Sequence, residues 1–220
     1  MMQEKIKGIL FDLDGTLLDT AKDLTYALNL SLADHGYAPV SEQLVKESVS
    51  QGSLIICQTA LPTQPVEIQL RVQKTMLKHY QDVSGHKTDF FNGIDSLINR
   101  LDCHGLSYGI VTNKVAKFAR PLVAKFELFT QNTTLISGDS TTHNKPNAQP
   151  MLLAAQQLNL LSSDIIYVGD SRTDIYAAKN AGMKSAIATW GYISSGEKIS
   201  DWNADLILND PNDLLSLFNF

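Results

Sequence analysis

The sequence predicts an α/β fold: a doubly wound parallel sheet as the core, with a helical domain inserted after the first strand. Three observations support this prediction. Short, continuous apolar runs recur along the chain, as expected of strands buried on both faces of a parallel sheet. Helix-compatible segments lie between these runs. Residues 21–85 interrupt the alternation, because they contain no convincing buried strand.

The predicted strands are apolar, β-rich runs that each end at a polar or glycine-containing turn. They comprise residues 6–11, 107–112, 134–136, 165–168, 185–188 and 206–208. Residues 94–103 carry the i, i+3, i+4, i+7 apolar spacing of an amphipathic helix, and residues 150–158 and 173–181 are rich in alanine. Strands that alternate with helices in this way favour an open sheet with right-handed crossovers.

The segment between the first two core strands is predicted to be helical. It contains four helix-compatible stretches, with a proline-containing break between the last two; they are residues 21–32, 41–49, 54–61 and 65–80. We therefore expect a core domain of residues 1–19 and 86–220 and a helical cap domain of residues 20–85.

Composition excludes several classes of protein. Of the 220 residues, 44% are hydrophobic and 19% charged, and the net charge is −5, so we expect a folded protein that binds neither nucleic acid nor a membrane. The N-terminus lacks the pattern of a signal peptide. Cys57 and Cys103 form no disulfide or metal-binding spacing. We predict a cytoplasmic location and a monomer or homodimer.

Polar side chains follow four of the apolar runs. In an open α/β sheet, ligands bind beyond the carboxyl ends of the strands. Carboxylates follow the first run at Asp12 and Asp14 and the fourth run at Asp170, while Thr112 ends the second run and Lys145 lies in the loop after the third. The four segments are therefore expected to meet at one edge of the sheet.

The chemistry of these side chains suits a phosphate ester. Asp12 and Asp14 leave the chain on the same side, and two close carboxylates repel unless a cation or a shared proton relieves them. With Asp170 they form a set of oxygen ligands that suits Mg²⁺. Gly15 lets the backbone turn and approach an anion closely. Thr112 and Lys145 can donate to phosphoryl oxygens.

These segments resemble the four motifs of the haloacid dehalogenase superfamily of phosphatases, in the expected order. The matching segments are DLDGTLLDT at residues 12–20, VTNK at 111–114, Lys145-Pro146, and GDSRTD at 169–174. The resemblance spans nearly the whole chain and is greatest to the phosphoglycolate phosphatase-like branch. It implies a Rossmann-like core with a cap of type C1.

The resemblance also implies roles for individual residues. Asp12 would attack phosphorus and form an aspartyl phosphate, and Asp14 would act as general acid and then base. Mg²⁺ would be bound by the side chains of Asp12 and Asp170 and by the backbone carbonyl of Asp14. Asp174 would support the metal site from behind. The phosphoryl group would be held by Gly15, Thr16, Thr112, Asn113 and Lys145.

The cap departs from the branch at two places. Ser50 occupies a position where these phosphatases often have glycine, and Gln58-Thr59 stands where an arginine is common. A neutral side chain cannot copy the fork by which a guanidinium binds a carboxylate. The sequence therefore does not identify phosphoglycolate, or any other ester, as the substrate.

Two alternatives to a hydrolase stay open at this point. A phosphomutase of the β-phosphoglucomutase type uses the same aspartyl phosphate, and differs in whether the cap excludes water. A catalytically inactive phosphoester-binding or regulatory protein would keep the scaffold without turnover. The presence of all the motif acids, Thr112 and Lys145 favours an enzyme.

Overall fold

A computed structural model describes residues 6–129 and 134–218. Its strands are β1 Gly8–Phe11, β2 Leu18–Asp19, β3 Asp89–Phe90, β4 Ser107–Val111, β5 Thr134–Ile136, β6 Ile165–Gly169, β7 Lys184–Ala188 and β8 Leu206–Leu208. Six of these described strands form the core sheet, in which all neighbours are parallel, in the order β5-β4-β1-β6-β7-β8. The predicted α/β class and the six core strands are confirmed, with small shifts at their ends.

The helical insert is also confirmed. Four helices lie between β2 and β3: α1 Ala21–Asp34, α2 Glu42–Lys46, α3 Ser53–Ala60 and α4 Val66–Val83. The second predicted helix is shorter than expected, because α2 ends at Lys46 and a separate 3₁₀ turn, Val49–Gln51, follows it. Gly52, with a φ of 93°, joins this turn to α3 in a conformation that other residues rarely adopt.

Four further helices pack on the sheet: α5 Ile94–Cys103, α6 Ala116–Val123, α7 Gln149–Gln157 and α8 Arg172–Asn180. Short 3₁₀ helices occupy Ser162–Asp164, Ile199–Trp202 and Pro211–Leu217. The sequence did not predict α6, which is only eight residues long and contains Pro121. Proline inside a helix removes a backbone hydrogen bond and normally argues against one.

The core and the cap bury separate hydrophobic clusters. One cluster packs the sheet against α5 and the C-terminal segment, while the other joins the helices of the insert through residues such as Leu28, Val72 and Met76. Tyr192, from the core, reaches into the cap cluster and packs on Phe91 with ring centroids 5.7 Å apart. The helices of the insert thus share a hydrophobic cluster that is separate from the clusters around the sheet.

The two chain crossings between core and cap lie side by side. β2 and β3 pair antiparallel, with Leu18 opposite Phe90 and Asp19 opposite Asp89. Strands of two residues show no alternation of polar and apolar side chains, which is why the sequence did not predict them.

Next to this ribbon, the buried carboxylate of Asp23 on α1 binds the returning chain. It accepts hydrogen bonds from the backbone N–H groups of Gly85, Lys87 and Thr88 and from the Thr88 hydroxyl, at 2.7–3.2 Å. The start of the cap is thus tied to its end.

Neither described segment of the chain contains a helix with the length and apolar character needed to cross a membrane.

Candidate active site

The strand ends bring the predicted acids together. β1 lies between β4 and β6, and Phe11 is in register with Ile110 on one side and Val168 on the other. Asp12 therefore leaves the sheet between Thr112 and Asp170, and its N–H donates to the carbonyl of Val168 at 2.9 Å. The structure places residues from β1, β4 and β6 at one edge, as the sequence predicted.

Lys145 pairs with two carboxylates at once. Its Nζ lies 2.8 Å from Oδ1 of Asp12 and 2.7 Å from Oδ1 of Asp174, and it also donates to the Tyr167 hydroxyl at 2.7 Å. Tyr167 in turn lies 2.7 Å from the carbonyl oxygen of Val111. The ammonium group is thus fixed in a buried site by hydrogen bonds to Asp174 and Tyr167, while Oδ1 of Asp12 lies beside it as an ion-pair partner that accepts no hydrogen bond from a described residue.

Burial and charge together set the titration of this group of residues. Burial raises the pKa of Asp12 to about 7 even though Lys145 acts to lower it. Burial, with Asp174 and Asp12 nearby, raises the pKa of Asp170 well above its usual range. Burial alone would lower the pKa of Lys145, but Asp12 and Asp174 outweigh it and the pKa is raised. Without a further cation, the site holds more negative charge than it can easily keep.

Asp14 has a lysine of its own. Nζ of Lys114 lies 2.7 Å from Oδ1 of Asp14, and the Thr20 hydroxyl donates to the same oxygen at 2.6 Å. The Lys114 ammonium also sits over the ring of Tyr80, 4.9 Å from its centroid. Burial would lower the pKa of Lys114, but the charge of Asp14 and then Tyr80 raise it. The second carboxylate is therefore held in one orientation by two donors.

Three carboxylates lie close enough to share a metal ion. One oxygen from each of Asp12, Asp170 and Asp174 lies within 4.8 Å of the other two. Oδ1 of Asp170 is buried and accepts no hydrogen bond from any residue in the described segments. A buried, unpartnered carboxylate oxygen beside another carboxylate is what a hard cation requires. The residues present therefore fit a divalent cation.

This cluster contains both predicted side-chain ligands, Asp12 and Asp170, and also Asp174, which was expected to support the site from behind. Asp14 was predicted to bind through its backbone carbonyl, and its carboxylate does not belong to the cluster. Both oxygens of Asp174 are already engaged, Oδ1 by Lys145 and Oδ2 by the backbone N–H and hydroxyl of Ser171, with which it forms the capping box of α8. Asp174 thus anchors Lys145 and the start of α8 beside the cluster.

Gly15 and Gly191 leave room for Asp170. Gly15 has a φ of 85°, and a Cβ there would lie 2.1 Å from Oδ2 of Asp170. A Cβ on Gly191 would lie 2.3 Å from Cβ of Asp170. The backbone of the first motif therefore packs directly on the third carboxylate, and no larger residue fits at either position.

The cap reaches this site through Ser50. Its hydroxyl donates to Oδ2 of Asp170 at 3.1 Å, and the backbone N–H of Tyr192 donates to the same oxygen at 2.8 Å. The other departure has no such contact: Gln58 and Thr59 lie on α3 but line neither of the cavities described next. Ser50 is thus the departure that bears on the site.

Two cavities of about 460 Å³ each meet at the site. Asp12, Asp14 and Thr112 line the first, which extends under the cap, whereas Lys145 and Asp170 line the second. Ser50, Gln51 and Asn113 border both. The acids and the lysine therefore lie where the two cavities join.

The remaining predicted residues occupy different positions. The buried Thr112 hydroxyl accepts from the N–H of Lys114 at 3.1 Å and borders the first cavity. Asn113 uses its side-chain amide to bind the backbone N–H and carbonyl of Lys145, both at 3.0 Å. Thr16 is fully buried and, like Gly15, lines neither cavity.

Sequence reasoning gave no role to Lys114, Tyr167 or Tyr192. Lys114 was within the second motif, and its position two residues after Thr112 was the available signal. Tyr167 sits inside β6, where an apolar run predicts only a core residue. Tyr192 contacts Asp170 through its backbone N–H, and a backbone contact leaves no mark in the sequence.

This chain is similar to known proteins over most or all of its length. A family model described as haloacid dehalogenase-like hydrolase matches residues 9–188. An N-acetylmuramic acid 6-phosphate phosphatase of Pseudomonas aeruginosa is 33% identical over 100% of this chain and 97% of its own length. A phosphoglycolate phosphatase of Xylella fastidiosa is 35% identical over 94% and 90%.

A solved structure, described as a predicted phosphoglycolate phosphatase from Haemophilus somnus, superposes with a TM-score of 0.84 at 26% identity. The match covers 99% of both chains. Both the core and the inserted cap are therefore shared with that structure.

Proposed function

The chain belongs to the haloacid dehalogenase-like hydrolase family and is similar over its whole length to phosphatases of that family. From this we propose that it is a Mg²⁺-dependent phosphomonoester hydrolase, acting on a small phosphorylated metabolite through an aspartyl phosphate on Asp12. The observation that carries the proposal is the buried Asp12 carboxylate, paired with Lys145 at 2.8 Å and set within 4.8 Å of Asp170 and Asp174.

In the first step, a carboxylate oxygen of Asp12 attacks phosphorus and the bond from phosphorus to the ester oxygen breaks. Asp14 gives its proton to the departing alkoxide, which leaves as an alcohol. The hydrogen bonds from Lys114 and Thr20 to one oxygen of Asp14 leave the other oxygen to carry that proton. Asp14 also borders the first cavity, where the leaving group would lie.

In the second step, water attacks the phosphorus of the aspartyl phosphate. Asp14, now ionised, takes a proton from this water, and the bond between phosphorus and the Asp12 oxygen breaks. Phosphate is released and the Asp12 carboxylate is regenerated. The same residue serves as acid and then base because its carboxylate keeps one position throughout.

The phosphoryl oxygens need positive charge and donors. Lys145 supplies the charge from the protein, and the Thr112 hydroxyl supplies a donor beside it. Asn113 holds the backbone of Lys145 and so positions its ammonium group. Mg²⁺, bound by Asp12, Asp170 and the backbone carbonyl of Asp14, would neutralise the carboxylates and polarise the phosphoryl group.

The test is release of phosphate from an aryl phosphate with and without Mg²⁺, together with acid-quenched single turnovers that trap a hydroxylamine-sensitive acyl phosphate. We expect activity only with the metal, none for Asp12→Asn, and a loss of about 10²–10⁴-fold for Asp14→Asn. Asp82→Asn, an exposed carboxylate on α4, is the matched control. Near-normal turnover by Asp14→Asn would overturn its role. A strict need for a bisphosphate would instead indicate the mutase.

We propose residues 1–19 and 86–220 as the core domain and residues 20–85 as the cap domain. The two connections between them pair as strands β2 and β3, which supports this division. A cytoplasmic location stays a prediction. Both cysteines are free thiols, the state that a reducing compartment maintains. A monomer or a homodimer likewise stays a prediction.

A further inference from the structure

Beyond Asp14, two kinds of residue line the first cavity. The apolar residues, here called the apolar wall, come from both cap and core and include Leu24, Ile56, Leu77, Tyr80 and Phe118. The polar but uncharged residues, here called the polar wall, include Gln51, Ser53, Gln73 and Asn144. A volume of about 460 Å³ is within the usual range for small-molecule sites and is large for a leaving group of a few atoms.

This cavity offers no cation to a leaving group. Among its described lining residues, Lys114 alone carries positive charge, and that charge is already committed to Asp14 at 2.7 Å and to the Tyr80 ring. A carboxylate bound here would lie near Asp12 and Asp14 without a guanidinium partner. Burial of such an unpaired charge is costly.

The polar wall does offer neutral hydrogen-bonding groups. Gln73 on α4 donates from Nε2 to the Ser53 hydroxyl at 2.9 Å, and its Oε1 receives no hydrogen bond from any described residue. Gln51 is exposed at the border of both cavities. Amides and hydroxyls match the hydroxyls of a sugar, while the apolar wall matches the C–H faces of its ring.

Building on the proposed function, we infer that the leaving group is an uncharged, ring-sized sugar or acetamido sugar rather than a short carboxylic acid. Gln73 is the specificity-determining residue, because it lines the cavity that Asp14 borders and its Oε1 accepts no hydrogen bond from any described residue. The inference concerns only the cap side of the site. The reaction at Asp12 is the same for either kind of ester.

The test compares kcat/KM for four phosphate esters. Glucose 6-phosphate and N-acetylglucosamine 6-phosphate carry neutral rings, phosphoglycolate is short and charged, and 6-phosphogluconate matches the hexose in size but carries a carboxylate. We expect the neutral rings to exceed phosphoglycolate by at least about tenfold and glucose 6-phosphate to exceed 6-phosphogluconate. Phosphoglycolate as an equal or better substrate would overturn the inference and leave the proposed hydrolase intact.

A charge-insertion variant sharpens the comparison. Gln73→Arg should shift the ratio of 6-phosphogluconate to glucose 6-phosphate by about tenfold in favour of the carboxylate, because it supplies the missing guanidinium. Gln81→Arg places the same charge at an exposed position of α4 and should leave the ratio unchanged. An identical ratio in the wild type and both variants would show that Gln73 does not determine specificity.

Binding to Asp12→Asn separates this inference from the proposed function. Calorimetric titration of that variant with glucose 6-phosphate and phosphoglycolate measures the cavity without turnover. If the wild type hydrolysed no ester, the hydrolase would be refuted, yet tighter binding of the sugar phosphate would still support the inference. Equal or weaker binding of the sugar phosphate would refute it.

Discussion

The hydroxyl of Ser50, in the cap, donates a hydrogen bond to Oδ2 of Asp170, in the core, at 3.1 Å. The other donor to that oxygen is the backbone N–H of Tyr192. These two bonds hold Oδ2 of the carboxylate. Its Oδ1 accepts no hydrogen bond from a described residue and is left to bind a metal ion. A residue that departs from the usual glycine thus links the cap to the metal site.

We predict that Ser50→Ala weakens metal binding about 10-fold, because partners of ligating carboxylates typically contribute 10- to 100-fold to affinity. Calorimetry with Mg²⁺ on substrate-free protein measures this directly. Ser50→Thr keeps the hydroxyl and should retain affinity. Ser53→Ala, in the same cap segment but without contact to Asp170, is the control. Unchanged affinity in Ser50→Ala would contradict the role given to this bond.

Lys114 holds Asp14, and its removal should slow turnover. We expect Lys114→Met to lower kcat by about 10- to 100-fold with a smaller change in KM, since a misplaced catalytic group costs rate more than binding. Lys22→Met, at an exposed position of α1, controls for loss of a positive charge.

A double-mutant cycle tests whether Lys114 acts through Asp14. Added to Asp14→Asn, the Lys114→Met change should cost little more, because the residue that it positions is already disabled. Additive losses would show that Lys114 acts through some other group.

The raised pKa of Asp12, about 7, predicts how pH affects the metal-free protein. Because the folded-state pKa lies above the unfolded value of about 3.9, its contribution to stability is full at low pH and is lost as pH rises through 7. In EDTA, the Tm should therefore fall between pH 5.5 and pH 8.

Mg²⁺ should reverse this trend, because it stabilises the ionised carboxylates and competes with protons for them. The increase in Tm caused by Mg²⁺ should be larger at pH 8 than at pH 5.5, as measured by thermal unfolding. In Asp12→Asn both the fall in EDTA and the metal effect should be smaller. A metal effect that is equal at both pH values would be inconsistent with this assignment.

Asp23 should matter for stability and not for chemistry. Asp23→Ala leaves three backbone N–H groups of residues 85–88 and the Thr88 hydroxyl without their acceptor, and we expect it to cost about 3 kcal/mol in the free energy of unfolding. Urea denaturation followed by circular dichroism measures the loss.

The matched control for Asp23 is Asp34→Ala, at the other end of α1. Asp34 pairs with His79 at 2.7 Å on the exposed surface, and such pairs contribute less than about 1 kcal/mol. Equal losses of unfolding free energy in the two variants would show that the hydrogen bonds of Asp23 stabilise the fold no more than an exposed ion pair does.

Features that depend on neighbouring residues in the sequence could be predicted, whereas contacts between residues far apart in the sequence could not. The six core strands were predicted because each is a local apolar run, and the strand-end acids because parallel strands end at one edge. The pairing of Lys114 with Asp14 joins residues 100 positions apart, and that of Ser50 with Asp170 joins residues 120 apart. No local pattern encodes such contacts. The ribbon of β2 and β3 and the proline-containing α6 were missed because each gives a weak or contrary local signal.

The paired crossings at β2 and β3 have a consequence for how such a protein can change over evolution. The two junctions of the insert lie on neighbouring strands, β2 and β3. The clustered carboxylates and Lys145 belong to the core and not to the insert. The insert is therefore an exchangeable cassette. Replacing it would alter which molecule is recognised while Asp12, Lys145 and Asp170 stay in the core. The replacement would also change three contacts that the insert makes with the site, those of Thr20 with Asp14, Tyr80 with Lys114 and Ser50 with Asp170.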